Sequence, residues 1–155
     1  MSKTKTIVDE STLTITFERA FAAPREDVFD AWTDPEQIAL WWDPTGTPLA
    51  ECTVDLRPGG AFRFTNASGH GPGFAGVYRV IERPAQLVFD AMGALGTVRL
   101  EGDAATTRMT VTIRCASAEH LEQFIKLGVH TGTDQTLDNL VEHVARRTRE
   151  RSSAR

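Results

Sequence analysis

Two kinds of hydrophobic spacing divide this chain, and the change between them restricts the fold more than any other feature. Short segments between residues 50 and 115 alternate apolar and polar side chains, which is typical of strands with one buried face. Over residues 117–147 the apolar side chains recur at spacings of three, four and seven, which is typical of a helix. A sheet must bury one face, and this helical segment is the only predicted element large enough to cover it.

The N-terminal part predicts one strand followed by two short helices. Residues 12–18 alternate strictly and are rich in β-branched residues, which favours a strand. Pro24 stands where a first helix would begin, and Asp34-Pro35 provides an N-cap and a first helical residue for a second.

The middle of the chain predicts about six further strands separated by turn residues. They cover residues 50–56, 61–65, 74–81, 86–90, 96–101 and 107–115. In the third of these segments, residues 74–81, Phe74 and Tyr78 share one face of the alternation, and Val77 and Ile81 share the other. Strands gathered together with segregated helices predict an α+β fold. We expect one domain over residues 1–155, with residues 1–10 and 148–155 as flexible ends.

Two glycines interrupt the long C-terminal helical pattern. Gly128 and Gly132 each cost a helix about 1 kcal/mol relative to alanine. A kink, a close approach of helix and sheet, or a cavity beside the glycines would account for them.

Charge and composition exclude several classes of protein. The chain has 17 basic and 21 acidic residues, a net charge of −4. The last ten residues hold five Arg and one Glu, so the rest carries −8, which argues against nucleic acid as a partner. No apolar stretch is long enough to span a membrane, and no secretory signal is visible. With only Cys52 and Cys115, we expect no disulfide framework and a reduced, cytoplasmic setting.

Four motifs give the chain a family resemblance. They are "FERAFAAPREDVFDAWTDPEQIALWW", "DLRPGGAFRF", "GVYRVIERPAQLVF" and "GTDQTLDNLVEHV". Together they resemble the family called activator of heat-shock-protein-ninety ATPase, homologue-like, of the START/Bet v-like (SRPBCC) superfamily, over residues 12–147. The resemblance implies a helix-grip fold. In that fold a curved antiparallel sheet of about six to seven strands surrounds a long C-terminal helix and encloses a cavity, with two short helices after the first strand.

One position departs from the family pattern. Family members often carry an aromatic residue after the glycine that corresponds to Gly132, and this chain has Thr133 there. If the aromatic ring fills cavity space in relatives, the pocket here is larger or more polar.

A set of large side chains from several elements is the candidate cavity lining. The set comprises Trp41, Trp42, Phe62, Phe64, Phe74, Tyr78, Phe89, Phe124, Leu127 and His130. Apolar rings with few polar groups suit a hydrophobic small molecule. The alternative is an ordinary filled core, because buried aromatic residues usually have that role; Trp32 is assigned to the core stripe of the first helix.

Polar residues carry weaker signals. His130 could donate a hydrogen bond or act as a general base, Tyr78 could orient a ligand, and His70 could gate an opening from its glycine-rich loop. No nucleophile elbow, phosphate loop or metal-binding histidine spacing is present in the sequence. We therefore expect no metal and no cofactor.

Three functions remain open at this stage. The first is binding of a small apolar or aromatic molecule for sequestration, transport or resistance. The second is a cavity enzyme of the cyclase, hydratase or hydrolase type, using a pair such as His130 with Asp90. The third is a stress-response module that regulates a chaperone, as the family name suggests; the further domain of the eukaryotic co-chaperone is not expected in 155 residues. A homodimer through a sheet edge or a short-helix face is compatible with all three.

Overall fold

The computed structural model describes residues 4–43, 47–65 and 74–153, apart from the side chains of residues 129–132 and 151–153. The described residues form eight strands and four helices. In chain order these are β1 Lys5–Asp9, β2 Thr14–Phe21, α1 Arg25–Thr33, α2 Pro35–Trp41, β3 Glu51–Val54, β4 Ala61–Thr65, β5 Phe74–Glu82, β6 Gln86–Ala91, β7 Ala94–Gly102, β8 Thr107–Arg114, α3 Ala118–Lys126 and α4 Val129–Ser153.

The strands form one curved antiparallel sheet, in the order β1-β2-β8-β7-β6-β5-β4-β3. The α4 helix packs against β2, α1 and α2. Its inner face carries Leu137, Leu140 and Val144, none more than 1% exposed. The predicted α+β helix-grip architecture is therefore confirmed. Among the described residues, none of the helices combines the length and apolar character needed to cross a membrane.

Described residues near both ends of the chain belong to regular elements where the sequence predicts flexible ends. Residues 5–9 were expected in a flexible end, but they form β1, which pairs with β2. Its residues are mostly exposed on both faces, so no burial pattern marks the strand in the sequence. At the other end α4 continues to Ser153, and Thr148 Oγ1 donates to Asp27 Oδ2 on α1 at 2.8 Å.

The predicted long C-terminal helix is divided into α3 and α4. The break is at Gly128, whose φ of +75° is a left-handed conformation that glycine adopts without steric cost. Its N–H donates to the Ile125 carbonyl at 3.1 Å, which ends α3. The sequence offered a kink, a close approach of helix and sheet, or a cavity as reasons for the glycines. At Gly128 the reason is the change of direction between the two helices.

A bulge in β5 changes which side chains share a face. Tyr78 pairs with Phe89, but after the irregularity between Tyr78 and Val80 it is Ile81 that pairs with Leu87. A bulge inserts one unpaired residue and so shifts the alternation by one position. Ile81 consequently packs against the core on the Tyr78 side, and the prediction that it lies on the opposite face is wrong.

Trp41 joins α2 to α1 through a hydrogen bond that compensates for a proline. The carbonyl of Ala31 would normally accept from the N–H four residues later, but that residue is Pro35, which has none. The indole Nε1–H of Trp41 donates to this carbonyl instead, at 2.9 Å. Trp41 is only 1% exposed, so water cannot replace the bond.

A second buried bond joins α4 to α2. His143, 3% exposed, has its Nε2 at 3.0 Å from Gln37 Oε1, and Gln37 Nε2 donates to Asp34 Oδ2 at 3.1 Å. Because the carboxylate takes the amide nitrogen, the amide oxygen faces His143 and accepts from its Nε2–H. Burial lowers the pKa of His143 below its ordinary value of 6.5, and Arg146 and Arg147 lower it further.

We expect Trp41→Phe to lower the free energy of unfolding by about 1–3 kcal/mol, because it leaves the Ala31 carbonyl buried without a donor. Urea denaturation measures this loss. Trp42→Phe makes the same chemical change at a less buried ring and serves as the control. An unchanged stability of the Trp41 variant would contradict the role assigned to this bond.

We expect the free energy of unfolding to fall as the pH drops below about 6.5. The lowered pKa of His143 means that the unfolded chain takes up a proton first, so stability present above pH 6.5 is lost toward the lowered pKa. Denaturation curves of the wild type and His143→Gln between pH 8 and pH 5 test this. The variant should lose less stability over that window; an equal loss in both proteins would rule His143 out as the cause.

Candidate ligand-binding site

A cavity of about 280 Å³ lies between the sheet and the helices. It is lined by residues of α1, β5, β6, β7, β8, α3 and α4, and by the residue that follows α2. The described lining residues are Trp32, Trp42, Phe74, Phe89, Ala91, Met92, Ala94, Gly96, Val111, Ile113, Phe124, Thr133, Thr136 and Leu137. This volume approaches the lower end of the range found for ligand pockets.

The described lining carries no charged side chain, and its polar side chains are those of two threonines, Thr133 and Thr136. Thr136 Oγ1 donates to the backbone carbonyl of Trp42 at 3.2 Å, which engages its proton within the protein. The hydroxyl of Thr133 is therefore the polar group in this lining that is best suited to a guest. Since an unpaired charge is costly in an apolar space, the cavity favours an uncharged molecule.

The cavity exists because one hairpin supplies small side chains where large ones would fill the space. Ala91, Ala94 and Gly96, on β6 and β7, all line it. Gly96 pairs with Phe89 across the two strands, and a Cβ on Gly96 would lie 2.6 Å from the Phe89 ring. The ring thus lies directly against the glycine.

A second group of rings is packed almost solidly beside the cavity. Around a space of only about 20 Å³, the ring centroids of Phe62 and Tyr78 are 4.9 Å apart and those of Phe62 and Phe64 are 5.2 Å apart. Phe62 also lies against a glycine, because a Cβ on its cross-strand partner Gly76 would be 2.6 Å from its ring. Burial raises the pKa of the Tyr78 phenol, so Tyr78 stays protonated.

The predicted cavity residues fall into two overlapping groups. Those that line the large cavity are Trp42, Phe74, Phe89 and Phe124, and the first three of these also border the small space. Those that surround the small space instead are Trp41, Phe62, Phe64 and Tyr78; for these the filled-core alternative describes the packing.

Two further predicted residues stand apart from the described lining. Leu127 is 74% exposed, because α3 ends there and the chain turns at Gly128, which directs Leu127 away from the cavity. His130 belongs to α4, but its side chain lies outside the described residues, as does the whole of His70.

Several lining residues were missed by the sequence reasoning. Trp32, assigned to the core, lies between the two spaces and contributes to both. Val111 and Ile113 alternate on β8 and could have been found from that pattern. Met92 carries no sequence signal, since it is placed at the cavity by the turn between β6 and β7.

The proposed acid–base pair is not assembled at the cavity. Asp90 lies between Phe89 and Ala91 on β6, both of which line the cavity, so the alternation of the strand turns Asp90 to the outer face. There it forms an ion pair with Arg79. Asp90 therefore cannot share the cavity with a residue of α4.

The thiols offer no reactive group either. Burial raises the pKa of Cys52 to about 11 and also raises the pKa of Cys115, so both remain protonated near neutral pH. Within the described parts of the chain, no cluster of three or more His, Cys, Asp or Glu side chains could hold a metal ion.

The chain is similar in structure to several bacterial proteins. A protein from Arthrobacter aurescens is 24% identical with a TM-score of 0.82, covering 92% of this chain and 91% of its own. Protein Ms6760 from Mycobacterium smegmatis is 24% identical with a TM-score of 0.79, covering 91% and 96%. An AHSA1-like protein from Aeromonas hydrophila is 25% identical with a TM-score of 0.71, covering 85% and 92%.

None of the curated proteins matches the chain in sequence. The family model described as "Activator of Hsp90 ATPase homolog 1-like protein" matches residues 22–145. This stretch contains α1, α2, β3 to β8, α3 and most of α4, and so most of the helix-grip framework around the cavity. The chain therefore belongs to the Activator of Hsp90 ATPase homolog 1-like family.

Proposed function

We propose that the protein binds a small, uncharged, apolar molecule in the cavity between the sheet and α4. The observation that carries this proposal is the 280 Å³ space whose described lining is apolar except for Thr133 and Thr136. Sequestration, transport and resistance would all use such a site in the same way.

Energetics support a role for the open space. An unfilled cavity costs roughly 24 cal/mol per Å³, so larger side chains at Ala91, Ala94 or Gly96 would give a more stable core if they could be packed. A chain that keeps this space gives up stability, and ligand binding offsets that cost by mass action.

Size and polarity define the ligand class. An engineered apolar cavity of about 150 Å³ accommodates benzene, and the volume here, about 280 Å³, is nearly twice as large. The guest would bury its apolar surface for about 25 cal/mol per Å², less the cost of ordering. The hydroxyl of Thr133 would hydrogen-bond a single polar group of the guest.

The family description also suggests regulation of a chaperone ATPase. A module that acts only through its outer surface gains nothing from an unfilled interior, so the cavity favours ligand binding. The enzyme alternative loses its proposed acid–base pair, because Asp90 is engaged by Arg79 on the outer face.

We expect Thr133→Phe to weaken binding of N-phenyl-1-naphthylamine, an uncharged apolar fluorophore, by about tenfold or more. The introduced ring would occupy the cavity and displace the guest. Because the same ring fills a void, the melting temperature should stay level or rise. Fluorescence titration and thermal denaturation measure the two effects.

Gln135→Phe is the matched control, since residue 135 is exposed on the same helix. It should leave the affinity for the fluorophore unchanged. Equal affinities of the wild type and Thr133→Phe would show that the fluorophore binds elsewhere, and the proposed site would be wrong.

We expect Gly96→Ala, a change on the sheet side of the cavity, to reduce the affinity for the same fluorophore several-fold. The new methyl group would meet the Phe89 ring at 2.6 Å and force it into the cavity, with a loss of stability of about 1–3 kcal/mol. The same titration and urea denaturation check both effects. Leu95→Ala changes the neighbouring, partly exposed residue and should leave binding intact; an affinity of Gly96→Ala equal to that of the wild type would contradict the role of this wall.

A further inference from the structure

We take the turn between β6 and β7 as the mouth of the cavity, because the described lining is most exposed to solvent there. Met92 in this turn is the one described lining residue whose side chain is mostly exposed, at 57%. A guest molecule that enters from water would therefore pass Met92. Phe124 of α3 lines the same cavity but is buried, so α3 covers the space beside the turn.

The turn itself is conformationally strained. Met92 and Gly93 join Ala91 to Ala94, which are paired across the strands, and their φ angles are +53° and +76°. This is the two-residue hairpin that needs left-handed backbone at both positions. Glycine takes that conformation freely, but in methionine it costs free energy, which contacts around the turn offset.

His120 supplies such a contact from α3. Its Nε2 lies 3.1 Å from the Met92 carbonyl oxygen, and its Nδ1 lies 3.0 Å from the backbone nitrogen of Ala116. Gly93 lies directly against the ring, since a Cβ there would be 3.4 Å from His120 Cε1. The imidazole thus fills the gap between the turn and the beginning of α3.

The partners determine the tautomer of His120. A backbone N–H can only donate, so Nδ1 accepts from Ala116 and carries no proton. A carbonyl can only accept, so Nε2 carries the proton and donates it to Met92. Both ring nitrogens are engaged, each with backbone of a different segment.

The same ring also orients the lining residue Phe124. The two ring centroids are 4.4 Å apart in an edge-to-face arrangement, at the i,i+4 spacing of one helix face. The α3 helix has only two buried residues, Leu121 and Phe124, so it is held to the sheet by few apolar contacts. One imidazole therefore contacts both sides of the mouth, Met92 on the turn and Phe124 on the helix.

We propose that His120 is a positioning residue that holds the mouth of the cavity closed through its hydrogen bond to Met92, and so sets the rate at which the guest enters and leaves. This role rests on the proposed ligand binding. A single net hydrogen bond at a partly exposed site accounts for a factor of about two to ten in a rate. A hydrogen bond of this strength can break and re-form each time a guest molecule enters or leaves.

Two substitutions separate the two hydrogen bonds of His120. In His120→Asn the amide oxygen stands near the position of Nδ1 and keeps the bond from Ala116, but the side chain is too short to reach Met92. In His120→Gln the amide nitrogen stands near the position of Nε2 and keeps the bond to Met92. Stopped-flow mixing with N-phenyl-1-naphthylamine measures the association and dissociation rates of each protein.

We expect both rates to rise about two- to tenfold in His120→Asn, with a smaller change in the dissociation constant, because a mouth contact affects entry and exit alike. His120→Gln should stay within about twofold of the wild type. Lys126→Ala removes the exposed Glu122–Lys126 ion pair of the same helix and controls for a general loosening of α3; its rates should not change.

Three outcomes would overturn this role. If a folded His120→Asn protein binds and releases the fluorophore at the wild-type rates, His120 does not hold the mouth closed. Equally fast exchange in the Asn and Gln variants would assign the effect to loss of the ring, and faster exchange in Lys126→Ala would assign it to the stability of α3. Absence of fluorophore binding to the wild type is a distinct result, because it would overturn the proposed function itself.

Discussion

The structure depends on burial of the concave face of the sheet beneath α4. Ile15 and Phe17 of β2, both fully buried, belong to the same apolar core as Leu140 of α4. Burial of such side chains contributes about 1.5–3 kcal/mol each, far more than the polar contacts around them. Burial of apolar side chains is non-directional and does not by itself fix the position of α4 along β2. The ion pair between Arg19 on β2 and Asp138 on α4, with an N–O distance of 2.6 Å, fixes that position.

The size of the inward-facing residues changes along the sheet, and this change explains why the core is solid at one end and open at the other. On β4 and β5 the rings of Phe62 and Tyr78 meet and fill the interior. On β6 and β7 the inward positions include Ala94 and Gly96, which cannot reach the helices. Phe89 lies directly against Gly96 and lines both spaces, so one cross-strand pair forms the border between packed core and cavity.

His120 and His143 each lie where one polar contact joins separate segments of the chain. His143 joins α4 to α2 through Gln37 in the interior, and His120 joins α3 to the β6–β7 turn at the surface. In both, an acceptor fixed by the protein receives the hydrogen bond that the imidazole donates from Nε2. The interior contact supports the framework, whereas the surface contact borders Met92, the most exposed residue of the described cavity lining.

The amino-acid sequence by itself determined the order of the elements from β2 to β8 and the presence of a C-terminal helical segment, since alternation and capping residues are local signals: Asp34 does cap α2 by accepting from the Glu36 N–H. It also indicated an apolar interior and four of the cavity residues, Trp42, Phe74, Phe89 and Phe124. It could not separate these from the packed rings, because both groups have the same residue types and strand positions. The bulge in β5, the exposure of Leu127 and the position of Met92 were decided only by the tertiary structure, because each depends on backbone turns and neighbours distant in the chain.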